Sequence, residues 1–264
     1  VTTGIERLRS AFRPDRPTLV AYVPIGDPEA FDARTLDAYR DAGVGVLEVG
    51  IPTADPWMDG AEVTDSMRRA LAAGTTPGAA AAILGAWRAG HAAAGRATPA
   101  ILWFSYPDLP LSAITAGAAA GGLDALLMLE PWRRPDAATL GDALARVGVA
   151  RSTFLPWDAT DRDLALARAT TGYLMVQARP GVTGAGGPTS DPTERVRLAR
   201  ALAPDQPVIG GFGVHDAASV RALAGSGVDG VVVGSACIAA AREGGPDGVR
   251  TYLRTLADAL EPAP

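Results

Sequence analysis

The chain has 264 residues, 48% of them hydrophobic, and a net charge of -5. It is long enough for one α/β barrel core, and it offers no basic surface for nucleic acid. All 24 basic side chains are arginine, which excludes Schiff-base chemistry and a lysine-linked pyridoxal phosphate, because both need an amine that can lose its proton.

The single cysteine, Cys237, forbids an internal disulfide and makes a reducing cytoplasm the expected setting. With His91 and His215 as the other soft ligands, no metal site and no cofactor are expected. No apolar run reaches the roughly 18 residues that span a membrane, and VTTGIERLR at the start has no signal-peptide core. A leading helix is predicted over 5–12. Strands are then expected at 18–23, 46–51, 100–104, 125–129, 152–155, 173–177, 207–210 and 230–233. Helical runs are expected near 30–42, 64–90, 111–120, 137–147, 162–170, 192–203, 217–224 and 248–260, with 64–76 as an insertion in the second unit. Eight strand–helix pairs in about 250 residues predict a single (β/α)8 TIM barrel over 1–264, with an extra N-terminal helix. An open doubly wound sheet is disfavoured, since no G-x-G-x-x-G turn follows the first strand.

Within the second strand, Val46, Leu47, Val49 and Ile51 are apolar, yet the chain sets Glu48 among them. A buried carboxylate costs several kcal/mol unless it is paired, so Glu48 is either an ion-pair partner of an arginine or a proton-transfer group. The loop that follows carries Asp55, Pro56, Asp59 and Gly60. Asp59 reads as a second acid of different exposure, or as a turn carboxylate of the D-G type. Asp55-Pro56 reads as loop-shaping.

Three glycine-bearing stretches follow the last strands: 181–187 after the sixth, 210–213 after the seventh, and Gly234-Ser235 after the eighth, where a short helix opens. Glycine lets backbone N–H groups approach an anion, and a helix N-terminus adds partial positive charge. Together these stretches are therefore candidates for binding a phosphate without lysine, although turns need glycine too. Tyr22, Trp103, Phe104 and Phe212 are expected either to line an aromatic pocket or to fill the core. Arg179 reads as a loop anchor, and Thr183 as a latch or a turn residue. His91 and His215 read as surface or capping residues, and Cys237 as a small apolar one.

The order and spacing of Gly26-Asp27-Pro28, Leu47-Glu48-Val49-Gly50-Ile51-Pro52, Asp55-Pro56, Asp59-Gly60, Gly181-Val182-Thr183-Gly184, Gly211-Phe212-Gly213 and Gly234-Ser235 resemble the α subunit family of tryptophan synthase over essentially the whole chain. The resemblance implies retro-aldol cleavage of indole-3-glycerol phosphate, or an analogue, into indole and glyceraldehyde 3-phosphate. It also implies a β-type partner subunit, with Glu48 as the acid and base, Asp59 at the indole nitrogen, and Thr183 able to latch onto Asp59. It further singles out Gly184, Gly211, Gly213, Gly234 and Ser235 for the phosphate, and adds Tyr173 and Met175 on the sixth strand to the candidate pocket.

The chain departs from the family at Thr53-Ala54, Met58 and 61–64. It also departs at Phe104-Ser105-Tyr106, where the family carries Tyr-x-Asn, at Met175 in place of a tyrosine, and at Glu130-Pro131-Trp132. A diverged member acting alone and an ordinary subunit with a co-adapted partner are both compatible with these changes. A non-catalytic activator and a phosphate-binding isomerase barrel are the alternatives from other classes.

Overall fold

A computed structural model describes residues 2–178, 192–211 and 213–261. Eight parallel strands close into a barrel in sequence order. They are β1 Thr18–Val23, β2 Val46–Gly50, β3 Ala100–Ser105, β4 Ala125–Met128, β5 Ala150–Leu155, β6 Leu174–Gln177, β7 Val208–Gly211 and β8 Gly230–Val233. The helices among the described residues are α1 Gly4–Ala11, α2 Thr35–Asp41, α3 Ala61–Ala72, α4 Pro77–Ala93, α5 Leu111–Ala119, α6 Ala137–Arg146, α7 Asp161–Arg168, α8 Thr193–Leu202, α9 Ala217–Ala224 and α10 Ser235–Asp258. No described helix is long and apolar enough to cross a membrane.

Helix ends follow local chemistry. Thr3 and Glu6 form a capping box on α1, and Thr160 and Asp163 do the same on α7. The helical run expected over 64–90 is two helices. Gly74 turns left-handed at φ +80°, and Pro77 then restarts the helix beneath a Thr76 cap, whose hydroxyl accepts from Ala79 N at 3.1 Å. The last helix starts earlier than expected, at Ser235, because the segment opened at Gly234 continues through a kink at Gly245 and Pro246.

The base of the barrel is fastened by Asp124, whose side chain is fully buried. It accepts from Arg7 Nε at 2.6 Å, Arg88 Nη2 at 2.5 Å and Ile101 N at 2.8 Å. One carboxylate thus ties α1 and α4 to the start of β3, and breaking such a pair costs far more than the pair contributes over an apolar substitute.

His91 corrects the expectation of a surface or capping residue: it is buried on α4. Its Nδ1 faces two guanidiniums, Arg96 Nε at 2.9 Å and Arg40 Nη1 at 2.5 Å, and can only accept there. Nε2 then donates to Asp37 Oδ1 at 2.6 Å. The sequence reading failed because the Arg and Asp partners come from α2 and from beyond α4.

Candidate functional site

Glu48 sits on β2 in register with Tyr22 of β1 and Leu102 of β3. Alternation along the strand sends Leu47 and Val49 toward the helices and Glu48 into the barrel. Its partner confirms the direction: Tyr173, at the foot of β6 on the opposite wall, donates its hydroxyl to Glu48 Oε2 at 2.7 Å. Glu48 is 5% exposed and faces a neutral phenol instead of the arginine that an ion-pair role required. Burial drives its pKa up, the Tyr173 hydrogen bond pulls it down, and the charge of Asp59 pushes it up again, to about 7. Both protonation states are then populated near neutral pH. Burial and the nearby Glu48 charge keep the Tyr173 phenol protonated, hence a donor.

Asp59 is carried by the loop between β2 and α3. Tyr106, just beyond β3, donates to Asp59 Oδ2 at 2.7 Å. Burial first, and then the Asp59 charge, raise the Tyr106 phenol far above its ordinary value, so it too stays a donor. The Trp57 ring packs edge-on against Tyr106 with centroids 4.6 Å apart, and the Arg133 guanidinium lies 4.8 Å from the Trp57 ring centre. Tyr22 is buried beside both acids: its phenol is raised by burial, then by the charges of Asp59, Glu48 and Asp27. A Cβ on Gly50 would lie 1.9 Å from the Tyr22 hydroxyl, so only glycine lets the ring pass there.

Beneath the loop, Asp27 takes a two-pronged hydrogen bond from Arg69 of α3, at 2.8 and 2.6 Å. This fixes the last turns of α3, the helix that follows Asp59, to the loop after β1.

The glycine wall is partly described. Register pairs Gly210 of β7 with Val231 of β8, so Gly213 and Gly234 each lie three positions past that pair in sequence, just beyond the ends of neighbouring strands. Gly213 adopts φ +77°, which other residues rarely do. Ser235 opens α10, directing its first free N–H groups to this corner. Gly211 has a packing reason of its own, because a Cβ there would lie 2.4 Å from Val232 Cγ1.

Of the expected pocket residues, Tyr22, Phe104, Tyr173 and Met175 are buried on inward-facing positions of their strands. Trp103 is not among them. It faces the helical layer, donates Nε1 to Gly122 O at 3.0 Å, and packs where Gly117 lacks a side chain. Arg179, Thr183, Gly184 and Phe212 lie outside the described residues. Cys237 is buried, and its thiol is pushed by that burial to about 12, so it is no nucleophile. Sequence reasoning gave no role to Tyr106. The available signal was a hydroxyl standing in Phe104-Ser105-Tyr106 where the family carries a polar amide.

A buried acid and a loop acid, each held by a tyrosine, thus face the mouth of an eight-stranded barrel with glycine turns at β7 and β8. The family model of the tryptophan synthase alpha chain matches residues 8–258. The chain belongs to this family. Among tryptophan synthase alpha chains, that of Halobacterium salinarum is 33% identical over 94% of this chain and 91% of its own length. A Mycobacterium tuberculosis tryptophan synthase structure superposes with a TM-score of 0.79 at 27% identity, covering 98% of this chain and 97% of that one. A Pyrococcus furiosus structure, described as the basis of mutual activation in a tryptophan synthase α2β2 complex, gives a TM-score of 0.74 at 25% identity, over 92% and 99% of the two chains. The family is one of lyases.

Proposed function

We propose that this member of the tryptophan synthase alpha chain family cleaves indole-3-glycerol phosphate to indole and glyceraldehyde 3-phosphate, with Glu48 and Asp59 as its catalytic residues. The observation that carries the reading is Glu48: a carboxyl shielded in the barrel, held by Tyr173 and poised at about 7. Protonated Glu48 delivers its proton to indole C3, and the resulting indolenine carries positive charge at nitrogen. Asp59 accepts a hydrogen bond from the indole N–H and stabilises that charge. Glu48, now a carboxylate, removes the proton of the C3′ hydroxyl. The C3–C3′ bond then breaks: the oxygen electrons form the aldehyde, and the bond pair returns to the ring to neutralise the iminium. The proton count closes on Glu48, which ends as it began.

Backbone donors at Gly211, Gly213, Gly234 and Ser235 would hold the phosphate, with Gly184 as a further candidate. No step needs lysine or a redox group.

A β-type partner is a second element of the reading. The relative from P. furiosus works in an α2β2 complex. In this chain, three of the five tryptophans, Trp57, Trp132 and Trp157, line one cleft of about 560 Å³ at the barrel mouth, beside the Asp59 loop. Aromatic surface of this kind suits a protein interface.

The test is incubation of the purified chain with indole-3-glycerol phosphate, with and without a tryptophan synthase β subunit, following indole release. Release by the chain alone supports a self-sufficient lyase. Release that appears only with the partner supports an ordinary subunit. No release in either case, with glycerol phosphate still bound, would point to isomerase chemistry.

A further inference from the structure

The segment between β2 and the acid Asp59 is fastened along the β3 edge at four successive points. Ile51 N donates to Phe104 O at 3.0 Å, extending the β2–β3 ladder past the strand end. The Thr53 hydroxyl donates to Asp108 Oδ2 at 2.8 Å. Trp57 packs against Tyr106, and Tyr106 in turn packs edge-on against Phe104, with centroids 5.9 Å apart. Finally, the Tyr106 hydroxyl reaches Asp59 itself at 2.7 Å. Two of the side chains involved, Thr53 and Tyr106, stand at positions where this sequence departs from its family's usual residues.

We infer that Tyr106 is a positioning residue for Asp59, and that Thr53 and Asp108 form the second point of a clamp by which this chain sets its own catalytic loop. This rests on the proposed lyase reading for its kinetic consequence, but not for its structural one. Tyr106 does not touch the reacting carbon; it acts through Asp59. A phenol buried beside a carboxylate stays a donor there, and its hydrogen bond to Oδ2 orients Asp59 so that its other oxygen can accept from an indole N–H. Among the described residues, Tyr22 from β1 and Glu48 from β2 also interact electrostatically with Asp59. The aromatic contact adds direction: with Trp57 seated on Tyr106, the loop cannot lift without losing the packing and the hydrogen bond together.

The experiment compares the full chain with Tyr106→Phe and Thr53→Val, using steady-state kinetics and amide hydrogen exchange over 53–59. Tyr106→Phe keeps the ring and removes one oxygen. It is expected to lower kcat by about ten- to hundredfold, the worth of a hydrogen bond to a charged group, while KM changes by less than about twofold. Exchange over 53–59 becomes faster in both variants, and the kcat loss of Thr53→Val is the smaller. The inference is overturned if Tyr106→Phe leaves kcat and loop exchange unchanged, or if KM alone responds. Should Tyr106→Phe not fold, unchanged exchange in Thr53→Val overturns the clamp, and accelerated exchange sustains it. If the parent chain releases no indole either alone or with a tryptophan synthase β subunit, the lyase reading fails by itself, and the exchange comparison still decides the clamp.

Discussion

Two buried carboxylates on neighbouring units of the barrel have opposite fates. Asp27, in the loop after β1, and Glu48, on β2, are both nearly inaccessible. Burial raises the pKa of each. At Asp27, hydrogen bonds from Arg69 and Ser66, and from the Glu29 backbone, outweigh that cost, and the carboxyl stays below its ordinary range. At Glu48 the hydrogen-bond partner among the described residues is a neutral phenol, the charge that acts on it is that of another acid, Asp59, and the carboxyl rises to about 7. A cation makes a buried acid a fastener, and a hydroxyl leaves it able to exchange a proton. Burial alone therefore says little about role; the charge of the partner decides it.

The comparison can be broken most directly at Glu48. Glu48→Gln keeps the shape and removes the exchangeable proton, so indole release should fall by about 10² to 10⁴-fold while the melting temperature at neutral pH holds or rises. Equal activity in the variant would remove Glu48 from the chemistry.

Asp27→Asn should do the reverse to stability. It leaves Arg69 facing a neutral amide and should cost about 2–3 kcal/mol in denaturant unfolding at pH 7, at the lower end for a broken pair because Arg69 is 21% exposed. A variant as stable as the parent would show that the pair is dispensable.

The pH dependence sharpens the contrast. Asp27 is depressed in the folded state, so its contribution is complete above its ordinary value of 3.8 and is lost as pH falls through the lower folded value. Glu48 is raised, so the folded state holds a proton that the unfolded chain releases. Its presence becomes destabilising as pH climbs from about 4.5 to about 7, and is constant beyond. The deficit of Asp27→Asn should thus persist down to pH 4, whereas the advantage of Glu48→Gln should grow between pH 4.5 and 7. Unfolding curves across that window check both.

The smallest effect is expected at Tyr173→Phe. Its hydroxyl lowers the Glu48 pKa, so its removal should move the alkaline limb of kcat/KM, set by loss of the Glu48 proton, to higher pH. An unmoved limb would show that the contact does not tune Glu48.

Much of the architecture was legible from residue patterns. Alternating apolar runs and Ala/Arg/Leu-rich runs predicted eight strand–helix units, and β8 and α9 have the expected bounds. The break at Gly74 was missed because helical composition continues on both sides of it. Glu48 and Asp59 were legible because each is chemically out of place: an acid in a β-branched run, and an acid in a stiff Pro/Gly loop. Tyr106 and Arg69 carried no such signal, since a tyrosine after a strand and an arginine on an exposed helix are ordinary. The departures at Thr53 and Tyr106 were visible, but what they touch was not.

The sequence by itself determined the kinds of chemistry open to this protein. An all-arginine basic set, one cysteine and two acids around one strand end leave carboxylate acid–base work, and the ordered motifs point to one family. Only the tertiary structure decided how the acids are held, because the groups that tune them come from elsewhere in the chain. Tyr173 crosses the barrel from β6 to reach Glu48, and Tyr106 reaches Asp59 from the end of β3. Closure of the sheet brings residues 125 positions apart into hydrogen-bond contact, and no local pattern encodes that distance.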